Sequence, residues 1–208
     1  MSTAQANIFT EPRLHLWTSE EYYRLAEAGL FEGKRVELIG GRVIERSAQS
    51  RPHVRAVKRA TRTFERAFGE GWFVQSQAPL DLDDLDGDSQ PEPDVAVIIG
   101  DEDDYVDEHP TTAALVLEVS FATLKYDRSA KASLYAKSGI SDYWILNLIL
   151  RQLEVFRQPV PDASAPFWHS YAEELIFKEG DSVAPLAKPD ALIDVVDLLP
   201  HRSRKELA

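Results

Sequence analysis

Ala114-Leu115-Val116-Leu117-Glu118-Val119-Ser120 places one carboxylate inside an apolar run of strand length. Such a run predicts a buried strand. Pro93-Asp94-Val95-Ala96-Val97-Ile98-Ile99 has the same character, with its acid at the entry. A carboxylate flanked by apolar residues is costly to bury without a partner, and a metal ion is one candidate partner. The following segment, Tyr126 to Ser138, predicts a helix closed by Gly139. It carries Lys131 and Tyr135 one turn apart on one face. Two carboxylates, the Val119 carbonyl and a nearby ammonium are the parts needed for metal-assisted phosphodiester hydrolysis.

Composition narrows the chemistry. The 208 residues suit one domain, or one with an appendage, and 44% apolar content supplies a core. No run of eighteen apolar residues occurs, so no membrane span is expected. Met1 to Arg13 lacks the apolar segment of a signal peptide, and a cytoplasmic protein is the simplest expectation. Zero cysteines exclude disulfides and thiolate metal sites, and the five histidines show no zinc-type spacing. Any metal would therefore sit on oxygen ligands, which favours Mg2+ or Mn2+. The net charge of −12 argues against a nucleic-acid partner at first sight. However, residues 81–108 hold thirteen acids and no Lys or Arg. The remainder carries 22 acids against 23 bases, so the acidity is local.

Thr18-Ser19-Glu20-Glu21 is a capping box that opens a helix running to about Ala28, with Gly29 at its C-terminal side. Val36–Ile39 and Arg42–Glu45 alternate around Gly40-Gly41, a tight hairpin. A second helix follows Pro52 and ends near Gly69, with Val54, Val57, Thr61, Phe64 and Phe68 as its packed face. Another face carries a basic stripe that includes Arg55 and Arg59. It suits phosphate contact, or a solvated surface that offsets the acidic stretch. Trp72 to Gln77 predicts a strand. Asp81 to Asp88 resembles a calcium loop in composition but lacks its spacing, and a solvated turn is the better reading. Asp142–Asn147 and Gln152–Phe156 predict paired strands, with shorter strands near 167–177 and 192–195. The expected organisation is an extension over 1–17, one domain over 18–200 and a polar tail over 201–208.

Pro93-Asp94, Glu118-Val119-Ser120, Tyr126-Asp127, Lys131, Tyr135, Gly139 and Tyr143-Trp144, in this order and spacing, resemble the Uma-two restriction endonuclease family of the PD-(D/E)XK nuclease superfamily. The resemblance runs from about Thr18 to Phe156. It implies an α/β restriction-endonuclease-like fold, a mixed central β-sheet flanked by helices, with the acids on adjacent central strands. It implies that Asp94 and Glu118, helped by the Val119 carbonyl, hold Mg2+ or Mn2+ and that the substrate is DNA. Glu37 matches the family's upstream acid, which completes the metal shell or assists as a base. Tyr135 would contact a phosphate or orient the lysine. The superfamily places its lysine two residues after the glutamate, where this chain has Ser120, so the role passes to Lys131, with Lys125 as a rival. His53, at the start of the second helix, is a further candidate for substrate contact. A homodimer is expected from the resemblance and from apolar C-terminal strands with little else to cover them.

Plainer readings stand beside these. Asp94 suits a strand-entry acceptor, a buried Glu118–Lys131 salt bridge is purely structural, and Tyr135 and Tyr143 suit core positions with a wet hydroxyl. A relative that keeps the fold as a binding or oligomerisation module is the alternative to an enzyme, since the acidic stretch would repel DNA. A glycosidase using Asp94 and Glu118 leaves Lys131 without a role.

Overall fold

The computed structural model describes residues 13–82 and 87–202. The chain opens with helix α1 (Ser19–Glu27), a hairpin of β1 (Val36–Ile39) and β2 (Arg42–Glu45), and the long helix α2 (Arg51–Phe68). Six strands then build the central sheet: β3 (Trp72–Gln75), β4 (Val95–Ile99), β5 (Leu115–Ser120), β6 (Asp142–Asn147), β7 (Gln152–Pro161) and β8 (His169–Lys178). They lie side by side in chain order. Every neighbouring pair is antiparallel except β5 and β6, which are parallel. Parallel neighbours need a crossover. Here it is a helical segment of α3 (Leu124–Tyr126), one π turn (Asp127–Lys131) and α4 (Ala132–Lys137). The short β9 (Ser182–Val183), β10 (Ile193–Asp194) and α5 (Val195–Leu198) complete the described chain.

The local signals act as expected. The Thr18 side chain accepts from the Glu21 N–H, and the Glu21 carboxylate accepts from the Thr18 N–H. Gly40 and Gly41 adopt φ of +54° and +68°, the pair of positive angles that a tight hairpin turn requires. A Cβ at Gly41 would lie 2.6 Å from that of Leu16, so the segment before α1 packs directly on this turn. The Trp17 N–H donates to the Gly41 carbonyl, and Arg202 pairs with Glu179, so both terminal segments are tied down at their inner ends.

The sheet is covered on both faces. Leu117, Val119 and Trp144 face α2, where Phe64 meets the Trp144 ring edge-on at 5.7 Å. Val116, Tyr143 and Ile145 face α4 and the hairpin. Alternation along β5 puts Glu118 on this second face, opposite to Leu117 and Val119. Helix α2 packs through Ala56, Val57, Ala60, Thr63, Phe64 and Phe68. The expected Val54 is 36% exposed and Thr61 only half-buried. Ala56 and Ala60 take buried positions on the face that meets the sheet. Strand β3 stops at Gln75 because Gln77 turns the chain with a φ of +55°.

The crossover helix departs most from expectation. It starts at Leu124 and widens by one residue over Asp127–Lys131. The Ala132 N–H reaches back five residues to the Asp127 carbonyl. Tyr143, wholly buried in β6, donates its hydroxyl to the same carbonyl at 3.0 Å. That hydroxyl is therefore bound inside the protein, not to water.

Two expectations concern the acidic stretch and the C-terminus. Residues 83–86 of the Asp81–Asp88 turn, and 203–208 of the tail, lie outside the described residues. The loop 101–108 follows the far end of β4 from Asp94, five strand residues away, about 17 Å by strand rise. At the C-terminus, β9, β10 and α5 lay Val183, Ile193, Val195 and Leu198 against the α2 side of the core. The apolar surface that the sequence left uncovered is thus partly covered by the chain itself.

Candidate active site

The β4–β5 register pairs Val95 with Leu117, which brings Asp94 opposite Glu118. Asp94 precedes the first residue of β4, so its carboxylate takes the place of a ladder partner and accepts the Val119 N–H at 2.8 Å. Its other oxygen accepts from His53 Nε2 at 3.1 Å and from Arg46 and Gln77, both at 3.4 Å. On the next strand, Glu118 Oε1 accepts from Lys131 Nζ at 3.1 Å and from the Tyr135 hydroxyl at 2.9 Å. Lys131 Nζ also donates to Glu37 Oε2, on β1, at 2.7 Å. Lys131 closes the π turn and Tyr135 lies one α4 turn later, so both reach the same carboxylate. Glu37, Asp94, Glu118 and Lys131 are each no more than 2% exposed.

These groups line a cavity of about 250 Å3. Its walls come from the Arg46–Ser50 segment, the Phe121–Thr123 loop, Tyr126 and Asp127. Electrostatics separates the two central acids. Burial pushes the Glu118 carboxyl up to about 7; Lys131 opposes the shift and Asp94 adds to it. Burial acts the same way on Asp94, but His53, Arg46 and the Val119 N–H outweigh it and hold Asp94 below the ordinary value. Burial opposes the charge on Lys131, and the Glu118 and Glu37 carboxylates overcome it and raise its pKa. Burial also raises Asp127, despite the Thr123 hydroxyl donating to it at 2.7 Å. Two neighbouring carboxyls with pKa values driven apart are a common arrangement in acid–base and metal chemistry.

Among the described residues, no three His, Asp or Glu side chains are placed to hold a metal ion by themselves. The donors present, Asp94 and Glu118 beside Val119, fit an ion such as Mg2+, which uses one or two carboxylates and keeps several waters. A dication beside Glu118 would replace the proton that burial favours.

The structure thus brings Asp94, Glu118, Lys131 and Glu37 together, with Val119, Tyr135 and His53 in contact with them. It does not bring Arg55 or Arg59 there. Arg55 is exposed outside the cavity, and Arg59 donates to the Val196 and Asp197 carbonyls at α5. Lys125, the rival lysine, is exposed and does not line the cavity. The Tyr135 hydroxyl is dry, bonded to Glu118. Arg46 escaped the sequence reading. It sits one residue after β2, with its guanidinium between the Glu92 carbonyl and Asp94. Nothing local distinguishes it from any arginine at a strand end. Asp127 and Tyr126 appeared in the sequence pattern without a role, although an acid at a helix start beside a buried strand is a usable signal.

No match exists among curated proteins. One solved structure is titled "Crystal structure of a putative nuclease belonging to DUF820 from Anabaena variabilis ATCC 29413". It is 15% identical, with a TM-score of 0.62 over 87% of this chain and 96% of that one. At that identity the likeness establishes the fold, a restriction-endonuclease-like mixed sheet flanked by helices. Residues 19–193 match the family model described as "Uma2: Putative restriction endonuclease". With most of its length inside that match, the chain belongs to the Uma2 family.

Proposed function

We propose that this chain is a Mg2+- or Mn2+-dependent endonuclease that hydrolyses DNA phosphodiester bonds at the Asp94–Glu118–Lys131 site. The observation that carries the reading is a buried ammonium held by Glu37 and Glu118, with Asp94 on the adjacent strand, at the base of a cavity. Family membership and fold point the same way.

Asp94 and Glu118, with the Val119 carbonyl, would hold the cation. When bound, it supplies a Lewis acid for a phosphoryl oxygen and an attacking water of lowered pKa. Lys131 would orient an attacking water or stabilise the negative charge that develops on the phosphoryl oxygens. Glu37 holds the Lys131 ammonium at 2.7 Å and acts as a positioning residue, in preference to a metal ligand. Tyr135 orients Glu118, and His53 orients Asp94. Arg55, at the surface of α2, is left for flanking phosphates. Arg59 is engaged at α5 and takes no part.

The working unit in this reading is one domain over 18–200, cytoplasmic and homodimeric. No described helix is long and apolar enough to cross a membrane. The exposed Ile176, Leu186, Leu192 and Val196 supply apolar surface for a second copy, and light scattering on the purified protein tests that.

A second reading has its own support. The Lys131–Glu118 pair and its hydrogen bonds satisfy these charges without a metal, as a structural cluster in a binding module would. The two readings separate in one experiment: supercoiled plasmid, linear duplex and single-stranded DNA incubated with Mg2+ or Mn2+, beside Glu118→Ala. Cleavage by the wild type alone supports the nuclease. No cleavage, with no cation-dependent rise in melting temperature, supports the binding module.

A further inference from the structure

We infer that the substrate enters this site as an unpaired nucleotide, so that a strand is single or splayed where it is cut and continuous duplex is excluded. The inference rests on the nuclease reading and adds the form of the substrate. Asp94, Glu118 and Lys131 are 1%, 2% and 2% exposed and line the cavity. The cavity volume of about 250 Å3 lies just below the range of about 300–1,000 Å3 typical of small-molecule pockets. It has room for part of one nucleotide. A duplex is a stiff rod whose major groove alone is about 12 Å wide. A duplex keeps its phosphates on the surface of that rod, whereas an unpaired strand can bend a phosphodiester into the cavity towards Glu118.

Two residues favour the unpaired form. Phe121, at the mouth, is 49% exposed. An exposed ring there offers a stacking platform to a free base, whereas a base inside a duplex is already stacked. Tyr126 lines the wall, and its buried hydroxyl has no hydrogen-bond partner. A buried phenol O–H ordinarily has one. An inserted base edge or phosphate oxygen supplies it. Enzymes that act on one nucleotide of a strand commonly take it out of the stack into a snug pocket in this way.

The test uses the full chain and three probes of one sequence, each with a 2-aminopurine reporter: a continuous duplex, the single strand, and a duplex with a central unpaired bubble. Cleavage with Mn2+ and reporter fluorescence are both followed. The expected result is cleavage of the single strand, and of the bubble within its unpaired tract, about tenfold or more over duplex. Phe121→Ala weakens single-strand binding about tenfold. Tyr126→Phe, which removes one oxygen, raises KM more than it lowers kcat. Duplex cleaved as fast as single strand overturns the inference and leaves the nuclease reading in place. No cleavage of any probe, with selective Phe121-dependent binding of the single strand, overturns the nuclease reading and keeps the pocket assignment. Equal binding of all probes, unchanged by Phe121→Ala, overturns the inference.

Discussion

Replacing Lys131 by methionine keeps a side chain of similar reach and removes its charge. In the wild type the ammonium stands 2.7 Å from Glu37 and 3.1 Å from Glu118, and all three are nearly inaccessible to water. Removing one member of a buried ion pair costs about 3–5 kcal/mol, because the other charge is left uncompensated. For a chain of this size that lowers the melting temperature by about 6–20 °C. The penalty depends on pH. The Glu118 carboxyl lies near 7 in the fold against 4.5 ordinarily, so the folded state takes up its proton more readily than the unfolded state. Such a group stabilises the fold below its unfolded pKa, and that contribution is lost as pH rises through the folded value. Burial raises this pKa and Lys131 lowers it, so the substitution moves it further up. The penalty of Lys131→Met is therefore smaller near pH 5, where the Glu118 carboxyl can be neutral, and full near pH 8. Urea unfolding followed by circular dichroism at about pH 5 and about pH 8, without divalent ions, measures it. An equal penalty at the two pH values, or a larger one in acid, refutes the assignment of Lys131 as counter-charge to these carboxylates.

Asp94→Ala abolishes cleavage and, by orphaning the Val119 N–H, costs about 1–3 kcal/mol of stability, read by urea unfolding beside the activity assay. A cation bound at Glu118 competes with a proton, so the Mn2+-dependent rise in melting temperature grows as pH climbs through about 7. A flat response from about pH 6 to 8 counts against Glu118 as a ligand. Tyr135→Phe removes a donor to Glu118 and moves the acid limb of the pH–rate profile up by about one unit, the equivalent of a hydrogen bond to a charged group. An unmoved limb means that another group sets it.

Features fixed by near neighbours were legible in the sequence. The Thr18–Glu21 cap and the Gly40–Gly41 turn need only residues within a few positions, and both formed as read. Asp94 and Glu118 were legible as acids in buried strands, and the resemblance added that the strands are adjacent. What escaped notice depends on distant partners. Glu37 meets Lys131 across 94 positions, and Arg46 reaches Asp94 across 48. No periodicity encodes either contact. The basic stripe of α2 shows which residues share a face, not that Arg59 would meet the carbonyls at α5. The buried face of α2 was read correctly at Val57, Phe64 and Phe68 and missed at Ala56 and Ala60, because alanine carries little hydrophobic signal.

The π turn at Asp127–Lys131 acts as a phase shifter. One extra residue in a helical turn rotates everything before it by about 100° relative to everything after it. Tyr126 and Asp127 lie at the start of that shift, Lys131 and Tyr135 at its end and beyond; the first three line the cavity, and Tyr135 reaches it through Glu118. Deleting a single residue, Ser129 for example, would let the helix close its normal hydrogen bonds and keep both ends anchored. Tyr126 and Asp127 would then be rotated relative to Lys131 and Tyr135. Length, at this one place, is as much a part of the site as any carboxylate, and homologous chains aligned here should tolerate substitutions far better than gaps.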